Sequence, residues 1–479
     1  MQRRMTVLAA AASTTLLLTS GVSAASASTG APAGATSADS GSGYRADVAP
    51  GHYAGTIADG ANWIADVPAD WNGTLILFSH GFGPLTAADA PSAASQAELL
   101  AQGYALTGSS YDPNGSWWAL DTAAGDQFAT LAAVEHLLGG RPHRVISMGE
   151  SMGGLINSQI AESGAGRVDA ALDICGLVGG GVNLNNYQLN AEYAMTLLLP
   201  GASEIQLRDY ATAADASASA TELTDAVASA QTTAAGRARI ALAGALLNET
   251  DWAPAEAAAP APTDYAGQEA QEEQWMTAEG QLAFIVSGRY YVDLAAGGDS
   301  SWNVGVNYGS LLRESKYSQQ VAALYQAAGL SLNADLTALD RNERYTPDPG
   351  SLASMERSST NTGRLEVPML DIHTTSDQLV PVEQESAYAQ KVDAAGAGAL
   401  LRQAYVSRQG HCNFTTAEIV AALDTVNERA ATGSWGNTTS AAALEARADG
   451  LDLDGGAFVD FRPTGLVVQS ADPFPFRGR

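Results

Sequence analysis

The stretch RVISMGESMGGLIN, Arg144 to Asn157, constrains this chain more than any other. A run of β-branched and apolar residues stops at Gly149, meets Ser151, and resumes as a helical pattern after Gly153 and Gly154. The segment Gly149-Glu150-Ser151-Met152-Gly153 is G-x-S-x-G, with a predicted strand before it and a predicted helix after it. In that context the turn is tight enough that only small neighbours allow the backbones to approach. The serine hydroxyl is then expected at the C-terminal edge of a sheet, above a helix N-terminus. A free serine hydroxyl is a weak nucleophile, so a base has to be brought to it by folding.

The surrounding pattern is that of an α/β chain. TLILFS (Thr74 to Ser79), YALTGSSY, RVISM and VDAALDICG read as strands, and PSAASQAELLAQG, DQFATLAAVEHLLGG and GGLINSQIAESG read as helices between them. Such alternation implies a mostly parallel central sheet with helices on both faces. From Tyr187 to Gly363 the rhythm becomes mostly helical and Ala-rich, and strands return at LEVPMLDIH (Leu365 to His373). The expected organisation is a signal peptide over 1–27, a flexible linker over 28–50, a first core segment over 51–186, a helical insertion over 187–363, a second core segment over 364–430 and a C-terminal extension over 431–479. The basic MQRR start, the short apolar run and the small-residue sites VSA and ASA carry the signal-peptide reading, and with it export from a bacterial cell. No later run reaches about 18 uninterrupted apolar residues, so no membrane span is expected.

The net charge of −28 on 479 residues argues against nucleic acid, whose phosphates would be repelled. No H-E-x-x-H or comparable cluster appears, so neither a metal nor another cofactor is expected. Three aspartates in the tail, Asp452, Asp454 and Asp460, lack EF-hand spacing.

There are six histidines from which to draw the base. His136 falls in a helix before the serine, His143 precedes a strand at the opposite edge, and His52 lies near the N-terminal linker. His80 and His373 sit at strand ends. His411, in SRQGHCNF, follows the last clear strand at the edge where Ser151 is expected, and is the preferred base. The orienting acid is expected between them, in VPMLDIHTTSDQLVP. Asp371 lies inside the strand; Asp377 lies just past it and is preferred, because it can hold the imidazole tautomer. The oxyanion needs two backbone donors. The N–H groups of Met152 and of Phe82, in the HGFG loop after TLILFS, are the candidates.

With HGFG, GESMGG, HTTSDQLVP and GHCNF in that order, the chain resembles the α/β-hydrolase superfamily over roughly 53–182 and 365–423. The G-E-S-x-G form is similar to that of many carboxylesterases. The resemblance implies a serine hydrolase with a helical cap over its site. The expected substrate is a small-molecule carboxylic ester, the alternative being amide or exopeptidase chemistry with the same triad. A non-catalytic protein on this fold would be expected to lack part of the constellation. The two cysteines, Cys175 and Cys412, fall on the same predicted sheet edge. A disulfide between them would pin the His411 loop, the alternative being two buried thiols. Trp117 and Trp118, after the strand YALTGSS, are the candidate pocket residues. Some insertion aromatics (Tyr187, Tyr193, Trp252, Trp275, Tyr290, Tyr291 and Trp302) are expected to join them.

Overall fold

The computed structural model describes residues 48–254 and 256–474. The expected signal peptide and all of the expected linker before residue 48 lie outside the described residues. Among those described, nine strands form one sheet: β1 (Gly51–Thr56), β2 (Asn62–Val67), β3 (Thr74–Ser79), β4 (Ala105–Ser109), β5 (Arg144–Glu150), β6 (Ala170–Ile174), β7 (Met369–Ser376), β8 (Leu401–Gln409) and β9 (Phe458–Val459). Their spatial order is β1-β2-β4-β3-β5-β6-β7-β8-β9. The central strands from β4 through β8 are parallel, while β1 and β2 at one edge and β9 at the other pair antiparallel.

Parallel strands covered on both faces read as continuous apolar runs, and β3 is buried at every position. Because side chains alternate, Leu75 and Leu77 enter one core while Ile76 and Phe78 enter the other. The first three helices, α1 (Ala93–Ala101), α2 (Ala123–Leu138) and α3 (Met152–Ser163), connect the early strands. Between β6 and β7 run α4 (Gly181–Leu198), α5 (Ala213–Ala230), α6 (Ala234–Leu247), α7 (Tyr265–Met276) and α8 (Gln281–Ala296). They continue as α9 (Tyr308–Glu314), α10 (Ser318–Ala327), α11 (Leu332–Arg341) and α12 (Pro349–Ser358). The last three are α13 (Glu383–Ala394), α14 (Thr416–Thr432) and α15 (Ala441–Asp449). Leu131 and Val134 of α2, Leu155 and Ile160 of α3 and Tyr388 of α13 cover one face of the sheet. Leu99 of α1, Val420 and Leu423 of α14 and Leu444 of α15 cover the other.

The helical run between β6 and β7 opens at Gly181, ahead of the expected boundary at 187. The stretch ATELTDAVASAQTTAAGRARIALAGALL holds the end of α5 and all of α6. Thr233 accepts from the Gly236 N–H and starts α6, and a Cβ on Gly236 would meet the Ala230 carbonyl oxygen at 1.9 Å, so the turn from α5 closes tightly. α8 is fastened to α4 by a buried ion pair, Arg289 to Glu192 at 2.7 Å. The tail pairs with β8 through β9 and then returns to the inserted helices, where Val467 exchanges two hydrogen bonds with the Asn248 side chain.

Burial sets the pH response of this core. Burial raises the carboxyls of Glu249 and Glu269 to about 8. The unfolded chain ionises the same groups above about pH 4.3, so each subtracts stability as pH climbs from there to its folded value. The thermal midpoint is therefore expected to be highest near about pH 5 and to fall through pH 8. Melting curves across that range test this, and a midpoint that rises between pH 6 and pH 8 contradicts it.

Candidate active site

Ser151 stands between β5 and α3 with φ 61° and ψ −122°, a left-handed conformation that a side-chain-bearing residue adopts only under constraint. Its N–H donates to the Ile174 carbonyl at 3.0 Å, and its carbonyl accepts from Gly154 at 2.9 Å and Leu177 at 3.0 Å. The flanking glycines are required sterically. A Cβ on Gly149 would lie 2.1 Å from the Gly153 carbonyl oxygen, and one on Gly153 would lie 2.0 Å from the Ser79 carbonyl oxygen. The first turn of α3 thus rests against the ends of β3 and β5, and that contact aims the Ser151 hydroxyl over the sheet edge.

His411 follows β8 and Asp377 follows β7, so the parallel sheet delivers both to the same edge. The Ser151 Oγ is 2.7 Å from His411 Nε2, and His411 Nδ1 is 2.7 Å from Asp377 Oδ2. This geometry fits the tautomer in which Nδ1–H donates to the carboxylate and Nε2 accepts from the serine. The other carboxylate oxygen of Asp377 accepts from the Leu379 N–H at 2.9 Å and the Val380 N–H at 2.8 Å. Burial works against ionising Asp377, but His411 and His373 beside it outweigh burial and hold the carboxyl below the ordinary range. Asp371, the alternative acid, lies within β7 opposite Asp173 of β6. Burial and then Glu385 push its carboxyl well above the usual range, and it makes no hydrogen bond to His411.

His373 has a role that its place at the end of a strand did not reveal. Fully buried in β7, its Nε2–H donates to the Val380 carbonyl at 2.9 Å and lies 3.5 Å from Asp377 Oδ2. Its Nδ1 is 2.9 Å from Glu385 Oε1. Burial lowers its pKa, but the hydrogen bonds to Asp377 and Glu385 raise it further, to about 10. Asp377 is therefore flanked by two imidazoles. The signal was the i, i+4 spacing of His373 and Asp377. Asp371, His373 and Glu385 bring ligand-type atoms within 4.8 Å of one another. Both His373 nitrogens are already engaged, so the cluster reads as a hydrogen-bonded network and not as a metal site.

The HGFG loop packs directly on the serine, since a Cβ on Gly81 would sit 3.1 Å from Ser151 Cβ. His80 donates from Nδ1 to the Gly81 carbonyl at 2.9 Å and stacks on Tyr111 at 4.2 Å, which makes it a brace for this loop. Neither the Phe82 nor the Met152 N–H donates to another described residue. Cys175, one residue past β6, is bonded to Cys412, with Cα atoms 5.4 Å apart. The bridge ties the residue after His411 to the end of β6.

A cavity opens beside Ser151 and His411, lined chiefly by apolar side chains including Phe82, Trp118, Leu177, Phe284 and Ile285. Trp118 is in this lining. Trp117 is not: it stacks on Tyr291 at 4.2 Å and meets Phe82 edge-on at 5.9 Å, so it backs the wall. None of the seven insertion aromatics named from the sequence lines the cavity. Phe284 does, because α8 presents Phe284, Ile285, Gly288, Arg289 and Val292 along one stripe. Gln188 of α4 and Arg289 of α8 also line it. Sequence reasoning missed both, since a lone Gln and a lone Arg in Ala-rich helices carry no distinguishing pattern.

No protein-family model matches the chain. A curated relative, the o-phthalyl amidase of Xanthobacter agilis, is 26% identical over 413 residues, covering 80% of this chain and 88% of that protein. Among solved structures, a mutant form of the rice cell wall degrading esterase LipA of Xanthomonas oryzae is 13% identical at a TM-score of 0.35, covering 79% of this chain and 89% of its own. The acylaminoacyl peptidase of Pyrococcus horikoshii is 11% identical at a TM-score of 0.34; the match covers 76% of this chain and spans 37% of the peptidase. Likenesses of that size carry no inference about this chain. Its own topology does: a mostly parallel sheet whose strained serine caps the β5–α3 turn, with Asp377 and then His411 following along the chain, has the architecture of the α/β-hydrolase fold.

Proposed function

We propose that the protein is a serine hydrolase that cleaves carboxylic esters through a Ser151–His411–Asp377 triad. The observation that carries this reading is the unbroken chain of two 2.7 Å contacts from the strained serine through the imidazole to an ionised, buried carboxylate. In this mechanism Ser151 Oγ attacks the scissile carbonyl as His411 Nε2 takes its proton. Asp377 holds the Nδ1–H tautomer and stabilises the imidazolium. The two free N–H groups, Phe82 and Met152, hold the oxyanion. His411 then returns the proton to the leaving group, and water, activated by the same imidazole, hydrolyses the acyl-enzyme. The inserted helices act as a cap, since residues of α4 and α8 complete the cavity next to the serine. Export fits this reading, because a bacterial protein with a structural disulfide belongs in an oxidising compartment.

A second reading, hydrolysis of an amide, is favoured by one observation: the curated relative is an amidase. The same triad serves both bonds. The amide demands more of His411, which must protonate a poor amine leaving group. Initial rates on matched acyl esters and aryl amides, with Ser151→Ala as the blank, separate the two. Ester turnover lost in the variant with amides untouched supports the first reading. Amide turnover equal to or above ester turnover selects the second. Equal rates from wild type and variant on both series overturn the serine-hydrolase reading itself.

A further inference from the structure

The cavity beside Ser151 is apolar except at two side chains apart from the reacting groups. Gln188 stands one turn after Leu184 on α4, and Arg289 stands one turn after Ile285 on α8. Gln188 is 8% exposed, and its amide makes no hydrogen bond to any described residue. Arg289 is 1% exposed. One terminal nitrogen donates to Asn185 Oδ1 at 2.5 Å and the other to Glu192 Oε2 at 2.7 Å, while its Nε–H has no partner among the described residues. Buried donors without partners are rare in folded chains, and one of them, the Arg289 Nε–H, belongs to a side chain that lines the same cavity as the reacting serine, as does the unpartnered Gln188 amide.

We propose that Gln188 and Arg289 are specificity-determining residues that hold an acceptor oxygen carried by a ring-bearing substrate, away from its scissile carbonyl. The inference rests on the serine-hydrolase reading of the site. The ring follows from the walls: Phe82, Trp118 and Phe284 offer aromatic faces and edges to a flat apolar body. The acceptor follows from the donors. An Nε–H can only donate, and the Gln188 amide has two N–H groups to place beside it. A carbonyl or a carboxylate oxygen meets that requirement, whereas a methyl group would leave both donors unpaired. The two acceptors differ in charge. The Arg289 guanidinium pairs with Glu192 at 2.7 Å, and burial pushes the carboxyls of both Glu192 and Asp293, one turn along α8, above their usual range. An ionised ring carboxylate would therefore meet a guanidinium already paired with Glu192.

The test is equilibrium titration of the Ser151→Ala protein, which needs no turnover, with methyl benzoates that carry a ring carboxylate, carboxamide or methyl group. Phenyl acetates with the same three ring substituents form the mirror series for the leaving-group side. At least one oxygen-bearing compound is expected to bind about 10-fold or more tightly than its methyl counterpart, as sites built around a hydrogen bond discriminate against analogues lacking it. Gln188→Leu in the same background is expected to remove most of that ratio. Gln188→Glu keeps the size and is expected to turn the ratio against the carboxylate, so the inference stands on a second variant if the first folds poorly. Preference for the carboxylate identifies an anionic substituent, and preference for the carboxamide a neutral one. Methyl compounds that bind as tightly as the others in both series overturn the proposal, as does a ratio untouched by either variant. Turnover of the methyl compounds by the wild-type protein reports separately on the serine-hydrolase reading.

Discussion

Ser151→Ala is expected to lower kcat by about 10⁴- to 10⁶-fold on any acyl substrate the protein turns over, while barely moving the thermal midpoint. The hydroxyl is the attacking atom in the proposed mechanism, and it is the one hydroxyl that hydrogen-bonds His411 among the described residues. Its side chain is held by the hydrogen bond to His411 at 2.7 Å, so little packing is lost with it. The φ of 61° is as unfavourable for alanine as for serine, so the variant gains no relief of strain. Intact mass after treatment with an aryl phosphonate gives a second readout: one covalent adduct on the wild-type chain and none on the variant. Residual turnover within about 10-fold of wild type would end the triad proposal. Asp377→Asn is expected to fall nearly as far, because the amide favours the wrong imidazole tautomer. Asp377 also accepts from Leu379 and Val380, so this variant disturbs the loop as well, which makes the serine substitution the cleaner measurement.

Breaking the Cys175–Cys412 bridge is expected to cost both stability and turnover. The two cysteines are 237 residues apart, and closing so long a loop is worth up to about 5 kcal/mol in the chain-entropy model. Removed bridges more commonly cost about 2–4 kcal/mol. For a chain of this length that is a fall of about 2–4 °C in Tm, since unfolding entropy grows with residue number. Turnover should fall because Cys412 directly follows the imidazole, and a displacement of about 1 Å costs up to about 100-fold. The loop keeps other anchors: Gly410 donates to the Ser376 carbonyl at 2.7 Å, and the His411 N–H donates to Gln378 Oε1 at 3.1 Å. A loss of about 10-fold in kcat/KM for Cys412→Ala is therefore expected, short of inactivation. Kinetics and melting of the Cys412→Ala and Cys175→Ala variants check this, alongside intact mass of the native protein before and after reduction and alkylation. Two free thiols in the native protein would remove the basis of the prediction.

The elements that were legible from sequence share one property: their signal is local. β3 shows as an unbroken apolar run because both its faces are buried. The turn at Ser151 shows because Gly149 and Gly153 must lack a Cβ to pass the backbones of Gly153 and Ser79. Asp377 and His411 show because each falls in the loop just after a strand, and parallel strands deliver such loops to one edge. Chain order and residue type therefore determined the α/β-hydrolase sheet and brought those three side chains into candidacy. What surrounds them was decided in three dimensions. Pairing His373 with both Asp377 and Glu385 needs β7 and α13 packed together. Trp118 enters the cavity while Trp117 backs its wall, although the two are adjacent in the chain, because α8 brings Tyr291 to stack on one of them only. Gln188 and Arg289 meet the cavity through the docking of α4 against α8, a contact between helices about a hundred residues apart that a buried ion pair fastens. Periodicity tells which face of each helix is buried, but it carries no information about which partner covers that face. That choice comes from shape and from the pairing of buried polar groups, which exist only once the chain is folded.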